Sequence, residues 1–284
     1  MHIVRSIDEM QQWSANERNL GKTIGFVPTM GALHNGHSEL FGRSVLEHDR
    51  TVVSIFVNAL QFNNSADLEA YPRQLEKDIV IAEETNVDAL FVPSHDEMYP
   101  PNFSSTISAG DIAAHMEGLH RPGHFDGVAT VVVKLLNAVS PDAAYFGIKD
   151  FQQVAVIRQV VRDLNIACQI VSVPTVREAD GLALSSRNVR LTSEDRQEAV
   201  QIYRLLRELA TLSLETPTSS ADIKKAFITR LESSSNGIVE YVEVVDSQNL
   251  RPTITATTDS TICVAVWFGD VRLIDNISID SSPS

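Results

Sequence analysis

Two histidines three residues apart, His34 and His37, sit in the glycine-bearing stretch PTMGALHNGH, residues 28–37. Imidazoles at that spacing could hydrogen-bond the oxygens of a phosphoryl group as charge develops on it. They could instead ligate zinc, although no third donor of the HExxH kind is nearby and a metal would need a ligand from elsewhere. They could also be two polar residues on a turn. Gly31 and Gly36 would let backbone approach a ligand closely, and a helix opening after them would offer amide N–H groups and its positive dipole end to an anion. The glycine spacing fits neither GxGxxG nor GxxxxGK[ST], so neither the dinucleotide fingerprint nor the P-loop applies.

Other stretches carry comparable sets of groups. YFGIKDFQQ, residues 145–153, reads as a strand, a glycine turn and a helix start. There Lys149 suits a phosphate and Asp150 a sugar hydroxyl, with Gln153 one turn further on; the alternative is a helix cap at Asp150 beside a solvated lysine. In LSSRN, residues 184–188, two hydroxyls and a guanidinium together suit a polyphosphate, or else form a polar linker ahead of a helix cap at Thr192 or Ser193. Asn58 and Gln61 follow the apolar run SIFV, where neutral amides can read hydroxyls and a carboxylate or serve as ordinary turn residues. His120, Arg121 and His124 lie among glycines in EGLHRPGHFDGV, a loop composition without specific chemistry of its own.

These residues need a scaffold, and the chain spells one out. Ser6-Ile-Asp-Glu9 has capping-box spacing and predicts a helix over about 7–19, closed near Gly21. Strands are expected at 23–28, 51–57, 88–93, 143–147 and 168–174, alternating with helices ending near Glu47 and spanning about 74–85 and 150–164. GVATVVVKLLNAV, residues 127–139, is rich in β-branched residues, yet its length favours a buried helix over a strand. The alternation implies a parallel α/β sheet built from right-handed crossovers. The expected sites then fall at the carboxyl edge of that sheet, where open α/β folds hold ligands.

After about residue 175 the rhythm changes: helices are expected over about 193–213 and 219–232, then strands at 239–245, 261–268 and 271–279, with Gly269-Asp270 a hairpin turn. The expected organisation is a larger parallel α/β domain over 1–175 and a smaller α+β domain over 176–284, of which only the SSPS tail looks disordered.

Composition narrows the function classes. The chain has 284 residues, 43% hydrophobic and 21% charged, as an ordered globular protein does. A net charge of −14 argues against a protein whose main task is gripping nucleic acid, while leaving room for a small anion in a focused pocket. The two cysteines, Cys168 and Cys263, sit in apolar runs and read as buried thiols with no disulfide framework. The N-terminus lacks the apolar core of a signal peptide, and no stretch approaches the roughly 20 apolar residues of a membrane span. A cytoplasmic protein without a membrane partner is expected.

Taken jointly, PTMGALHNGH, SIFVNALQF, EGLHRPGHFDGVATVV, YFGIKDFQQ, VPTVREADGLALSSRN and RLIDNISI resemble the pantoate–β-alanine ligase family in that family's own order. HxGH alone is shared with many nucleotidylyl transferases, so another adenylate-forming HxGH enzyme acting on a different small carboxylic acid is the alternative. The resemblance implies a Rossmann-like ATP-binding domain, a C-terminal lid, usually a homodimer, and a reaction using Mg²⁺ and ATP with pantoate and β-alanine as substrates. It implies that Met30, Gly31, Ala32, Leu33, His34, Asn35, Gly36 and His37 line the ATP site, with His34 and His37 at the phosphate and His37 as proton donor. By the same resemblance Gly147, Ile148, Lys149 and Asp150 hold the nucleotide, with Lys149 catalytic on the phosphates and Asp150 on the ribose. Val176 and Leu184 would meet adenine through backbone groups, and Ser185, Ser186 and Arg187 would clamp the phosphates. Gln61 and Gln153 would bind pantoate, Gln61 also lying next to β-alanine, and no protein metal site is implied. Two residues depart from the family's habit: Ala59 stands where proline is common, and Ile148 where glutamate is common.

Overall fold

The computed structural model describes residues 1–280, so the SSPS tail lies outside the described residues. Six strands form one sheet: β1 (His2–Val4), β2 (Ile24–Thr29), β3 (Arg50–Ile55), β4 (Ala89–Phe91), β5 (Ala143–Gly147) and β6 (Gln169–Val173). Their order is β1-β4-β3-β2-β5-β6, and every pairing is parallel. The strands run outward from β2 through β3 and β4, then resume on its other side with β5 and β6. The carboxyl ends of β2 and β5 therefore flank the topological switch point of the sheet.

The helices are α1 (Ile7–Asn19), α2 (Asn35–Glu47), α3 (Ser65–Glu69), α4 (Leu75–Glu84), α5 (His95–Met98), α6 (Glu117–His120), α7 (His124–Val139), α8 (Phe151–Asp163), α9 (Ser193–Glu198), α10 (Gln201–Glu215) and α11 (Ser220–Ser234). Ser6 caps α1 by accepting the Glu9 N–H, as the capping-box spacing predicts. The β-branched run over 127–139 is indeed helical, and Gly123, at φ 78°, starts that helix three residues earlier than expected. Most of α7 is buried, which is how so apolar a helix is stable in a globular protein. The single helix expected over 193–213 is divided, because the Ile202 N–H bonds the Ala199 carbonyl three residues back and tightens the chain there. The edge strand β1 escaped the sequence reading; three residues are too short for an alternation signal.

Two compact units result: Met1–Gly147 with Val156–Val173, and Ile148–Ala155 with the chain from Pro174 onward. The first contains the parallel sheet and a core that includes Val27, Phe41, Val53, Leu90 and Tyr145. In the second, β7 (Ile238–Asp246), β8 (Ser260–Phe268) and β9 (Val271–Ser278) form an antiparallel sheet, with Gly269-Asp270 joining β8 to β9. Leu205, Leu206, Leu209, Phe227 and Leu231 from α10 and α11 share a core with Val264, Val266 and Phe268 from β8. Ile148–Ala155 groups with the second unit although the sequence division lies near residue 175. Asn276 on β9 is the physical reason, since its Nδ2 donates to the carbonyls of Ile148 at 3.0 Å and Lys149 at 2.9 Å. Cys263 is buried and Cys168 half-buried, neither joined in a disulfide, and burial pushes the Cys168 pKa up to about 12.

Candidate active site

The loop after β2 leaves the sheet through Gly31 at φ 78° and Ala32 at φ 52°, two consecutive left-handed residues. A non-glycine residue in that region is disfavoured, so something must hold it. Asp78 on α4 does so: its Oδ2 accepts the Ala32 N–H at 3.0 Å and its Oδ1 the Leu33 N–H at 2.8 Å. His34 then becomes the N-cap of α2, accepting the Gly36 N–H at Nδ1 (3.1 Å), while His37 Nδ1 accepts the His34 N–H (3.3 Å). The loop amides that the sequence offered to an anion are thus largely engaged by protein groups, those of Ala32, Leu33, Gly36 and His37 among them.

The capping arrangement fixes the tautomers. A neutral ring whose Nδ1 accepts a hydrogen bond carries its proton on Nε2. Both imidazoles therefore present Nε2–H donors, with ring centroids 4.1 Å apart. Burial, reinforced by the neighbouring His34, pushes the His37 pKa down from 6.5 to about 3. The ring is consequently neutral at physiological pH.

Gln61 ends a short 3-10 turn, Ala59–Gln61, and is 8% exposed. Asn58, 1% exposed, is the hub that orients it. The Asn58 Nδ2 donates to Gln61 Oε1 at 3.1 Å and to the Gly127 carbonyl at 3.0 Å, and its Oδ1 accepts the Tyr99 hydroxyl at 2.8 Å. The Gln61 carbonyl is held in turn by His124 Nδ1 at 2.8 Å and by Arg121 at 3.4 Å, which gives the loop histidine and arginine a positioning role. Helix α7 comes so close to this turn that a Cβ on Gly127 would lie 2.5 Å from the Leu60 carbonyl oxygen. The Gln61 Nε2 donates to Met30 Sδ at 3.2 Å, linking the amide to the histidine loop. A thioether is a weak acceptor, so a ligand oxygen there would be the better partner.

In the second unit, Ile148–Asp150 form a 3-10 turn leading into α8, and Lys149, Asp150 and Gln153 are all partly exposed. Val176 and Leu184 come together, the Leu184 N–H bonding the Val176 carbonyl at 2.9 Å beside an antiparallel bridge between Arg177 and Ala183. Arg177 holds this turn through a two-pronged ion pair with Asp275, 2.6 and 2.9 Å, and stacks on Tyr203 at 3.6 Å. Ser185, Ser186 and Arg187 follow, all partly exposed; Ser185 Oγ accepts the Arg187 N–H at 3.2 Å. Sequence reading passed over Asp78, Tyr99, Gly127 and Arg177 as individual residues, as well as Asn276. Asn276 and Arg177 lie within quoted stretches, but Asp78 carries no local signal because its partners are 45 and 46 residues away.

Among the described residues, no group of three or more His, Cys, Asp and Glu side chains gathers as a metal site. No helix there is long and apolar enough to cross a membrane.

Comparison with known proteins gives one answer. A family profile for pantoate-beta-alanine ligase matches residues 2–278. A pantothenate synthetase of Thermotoga petrophila is 47% identical over 97% of this chain and 99% of its own length, and that of Staphylococcus haemolyticus is 46% identical over 98% and 99%. A crystal structure of pantothenate synthetase from Thermus thermophilus superposes with a TM-score of 0.92 at 41% identity, covering 99% of this chain and all of that one. The pantoate-beta-alanine ligase of Francisella tularensis, crystallised with beta-gamma ATP and beta-alanine, superposes with a TM-score of 0.84 at 38% identity over the whole of both chains.

Proposed function

The chain belongs to the pantoate-beta-alanine ligase family and joins pantoate to β-alanine to form pantothenate; from that premise we propose how its own residues divide the work. Pantoate is first activated. One carboxylate oxygen attacks the α-phosphorus of ATP, the bond to the bridging oxygen breaks, and pyrophosphate leaves with the bonding electrons. The β-alanine amine then attacks the acyl carbon, AMP departs, and the amine loses a proton as the amide forms. Neither step requires a protein nucleophile, so positioning and charge stabilisation carry the catalysis.

The observation that carries this reading is the buried Gln61 amide, fixed by Asn58 and turned toward Met30 of the histidine loop. Gln61 binds pantoate through its Nε2–H, exchanging a weak sulfur acceptor for an oxygen, and Gln153 supplies a second amide to the same acid. Gln61 also lies next to β-alanine. His34 and His37 donate Nε2–H bonds to phosphate oxygens as neutral rings. The low pKa of His37 supports hydrogen-bond donation over full proton transfer, which refines the proton-donor role implied by the resemblance. Met30 to His37 form the wall of the ATP site. Lys149 meets the phosphates as a point charge, Asp150 accepts from the ribose, and Gly147 and Ile148 carry the backbone at that turn. Since the Val176 carbonyl and Leu184 amide already bond each other, the Val176 N–H and the Leu184 carbonyl are the groups left for adenine. Ser185, Ser186 and Arg187 clamp the triphosphate. Mg²⁺ enters with ATP as the triphosphate's counter-ion.

On this assignment residues 1–175 supply most of the ATP and pantoate contacts, and 176–284 the adenine and remaining phosphate contacts. A cytoplasmic homodimer without a nucleic-acid or membrane partner is the expected form, its stoichiometry to be read by sedimentation equilibrium. The test of the chemistry is ATP–pyrophosphate exchange by purified protein. We expect exchange that requires pantoate and Mg²⁺, with AMP appearing only once β-alanine is added. Exchange indifferent to pantoate would overturn the assignment in favour of another adenylate-forming enzyme.

A further inference from the structure

Asp78 is a carboxylate 1% exposed, and both of its oxygens are spent on the backbone amides of two consecutive residues, Ala32 and Leu33. A buried carboxylate is retained at a cost unless polar partners compensate it. Here the partners belong to the one turn that carries positive φ at both Gly31 and Ala32 and then delivers His34 as the cap of α2. The fit is tight on its other side as well: a Cβ on Gly31 would lie 2.9 Å from Asp78 Oδ2 and 3.1 Å from Ile55. Glycine at 31 therefore does more than permit a left-handed turn, since it leaves room for the carboxylate.

We propose that Asp78 is a positioning residue for adenylation: its carboxylate clamps the amides of Ala32 and Leu33 and thereby holds His34 and His37 in the register that turns two neutral Nε2–H donors toward the α-phosphate. This rests on the ligase reading above, because the clamp itself touches no substrate. A neutral side chain of the same shape offers one acceptor where two amides need one each, so one buried N–H loses its partner and the turn relaxes. Displacing the two imidazoles by about 1 Å is enough to cost on the order of 10²-fold in rate.

The test uses the full-length protein and two readouts. In Asp78→Asn, pantoate-dependent ATP–pyrophosphate exchange should fall roughly 10- to 100-fold. Two-bond ¹H–¹⁵N correlation spectra of the imidazoles should move from two Nε2–H tautomers in the parent to mixed tautomers in the variant. Val87→Ala, which opens space in the core that α4 covers while leaving the Asp78 carboxylate itself intact, is the control and should leave both readouts at parent values. If Asp78→Asn folds and keeps its exchange rate and tautomer pattern, or shifts them no more than Val87→Ala does, Asp78 is a stability residue and the proposal is wrong. If Asp78→Asn does not fold, Asp78→Glu decides the matter, since the longer carboxylate keeps its charge but cannot seat its two oxygens on the Ala32 and Leu33 amides as Asp78 does. Altered tautomers there support the clamp, and unaltered ones overturn it. The spectra do not depend on turnover, so a parent protein lacking exchange would sink the ligase reading while leaving the clamp independently measured.

Discussion

The turn at Asn58–Gln61 and the segment Leu184–Arg187 are both assigned to substrate, yet they are built to opposite rules. In the first, the amides are buried and bonded to groups on three other stretches of chain, at Gly127, Tyr99 and Met30, before any ligand arrives. In the second, the side chains are partly exposed, and bonds such as those from Arg187 to Ser185 and from Asn188 to Ala183 stay within a few residues. On the proposed assignment the contrast follows from what each would recognise. A small acid offers few contacts, so its amides have to be oriented in advance and any looseness is lost rate. A triphosphate carries enough charge to order a partly exposed cationic side chain such as Arg187 as it binds.

The sharpest way to break this contrast is to compare two glycines. Gly127→Ala would ordinarily stabilise a helix by about 1 kcal/mol. At this position the new Cβ meets the Leu60 carbonyl oxygen at 2.5 Å and the Gln61 nitrogen at 2.8 Å, and backbone cannot move aside cheaply. Overpacking of about 1–3 kcal/mol outweighs the propensity gain, so the variant should be less stable in urea. Because Gln61 moves with the turn, kcat/KM for pantoate should drop by on the order of 10²-fold. Gly147→Ala meets nothing within 4 Å, so the same mutation there should leave the urea midpoint unchanged and raise only the KM for ATP. Equal effects of the two substitutions on stability would erase the distinction.

Arg187→Ala sharpens it from the other side. Loss of charge-assisted bonds to phosphate is worth about 1.5–3 kcal/mol, roughly a 10- to 150-fold rise in KM for ATP. Stability should change by no more than about 0.5 kcal/mol, since a partly exposed side chain on a local turn supports little of the fold. Thermal melts beside initial-rate kinetics would read both. A large fall in melting temperature would mean that this segment, too, is organised in advance.

A third contrast lies in pH. The His37 pKa is held at about 3 in the folded protein, against 6.5 when unperturbed. Between those values the unfolded chain binds a proton that the native ring refuses. Stability from this group is therefore complete above about pH 6.5 and declines as pH falls toward 3. His37→Gln should flatten that acid limb in melting temperature measured from about pH 4 to about pH 8. The adenylation rate of the parent should show no limb near 6.5 arising from His37, because the ring stays neutral throughout that range.

How much of this was legible in sequence divides along the same line. Residues proposed to meet ligand stand out as candidates by type and spacing: His34 and His37, Lys149 and Asp150, and the serine pair with Arg187 could each be picked out of the chain, each with a bland alternative that only their joint occurrence outweighs. So could the helices and strands that bear them, because periodicity is local; α7 was separable from a strand by length alone. The groups that orient them were not. Gly127 reaches Asn58 across 69 residues, Tyr99 across 41, and Asp78 reaches Ala32 across 46. No spacing rule connects such pairs, which exist only once the sheet has brought α4 and α7 over the loops. The amide donors at the α2 N-terminus illustrate the same limit, since a free helix end was readable but its occupation by His34 and His37 side chains was not.

The smallest effect expected is also the most direct test of whether the pantoate turn is already rigid. Ala59 begins the 3-10 turn and follows Asn58, whose φ of −84° and ψ of 104° are extended, the conformation a residue before proline prefers. The 3-10 geometry itself matches the φ that proline imposes. Ala59→Pro should therefore fit without strain and raise stability by about 0.4–1 kcal/mol, chiefly by restricting the unfolded chain. If Asn58, Tyr99 and Gly127 fix the turn as tightly as their bonds indicate, proline adds nothing to the native state, and pantoate KM and kcat should stay at parent values. A clear gain in pantoate affinity would show instead that the turn samples other conformations in the parent, and that proline suppresses a motion its hydrogen bonds permit.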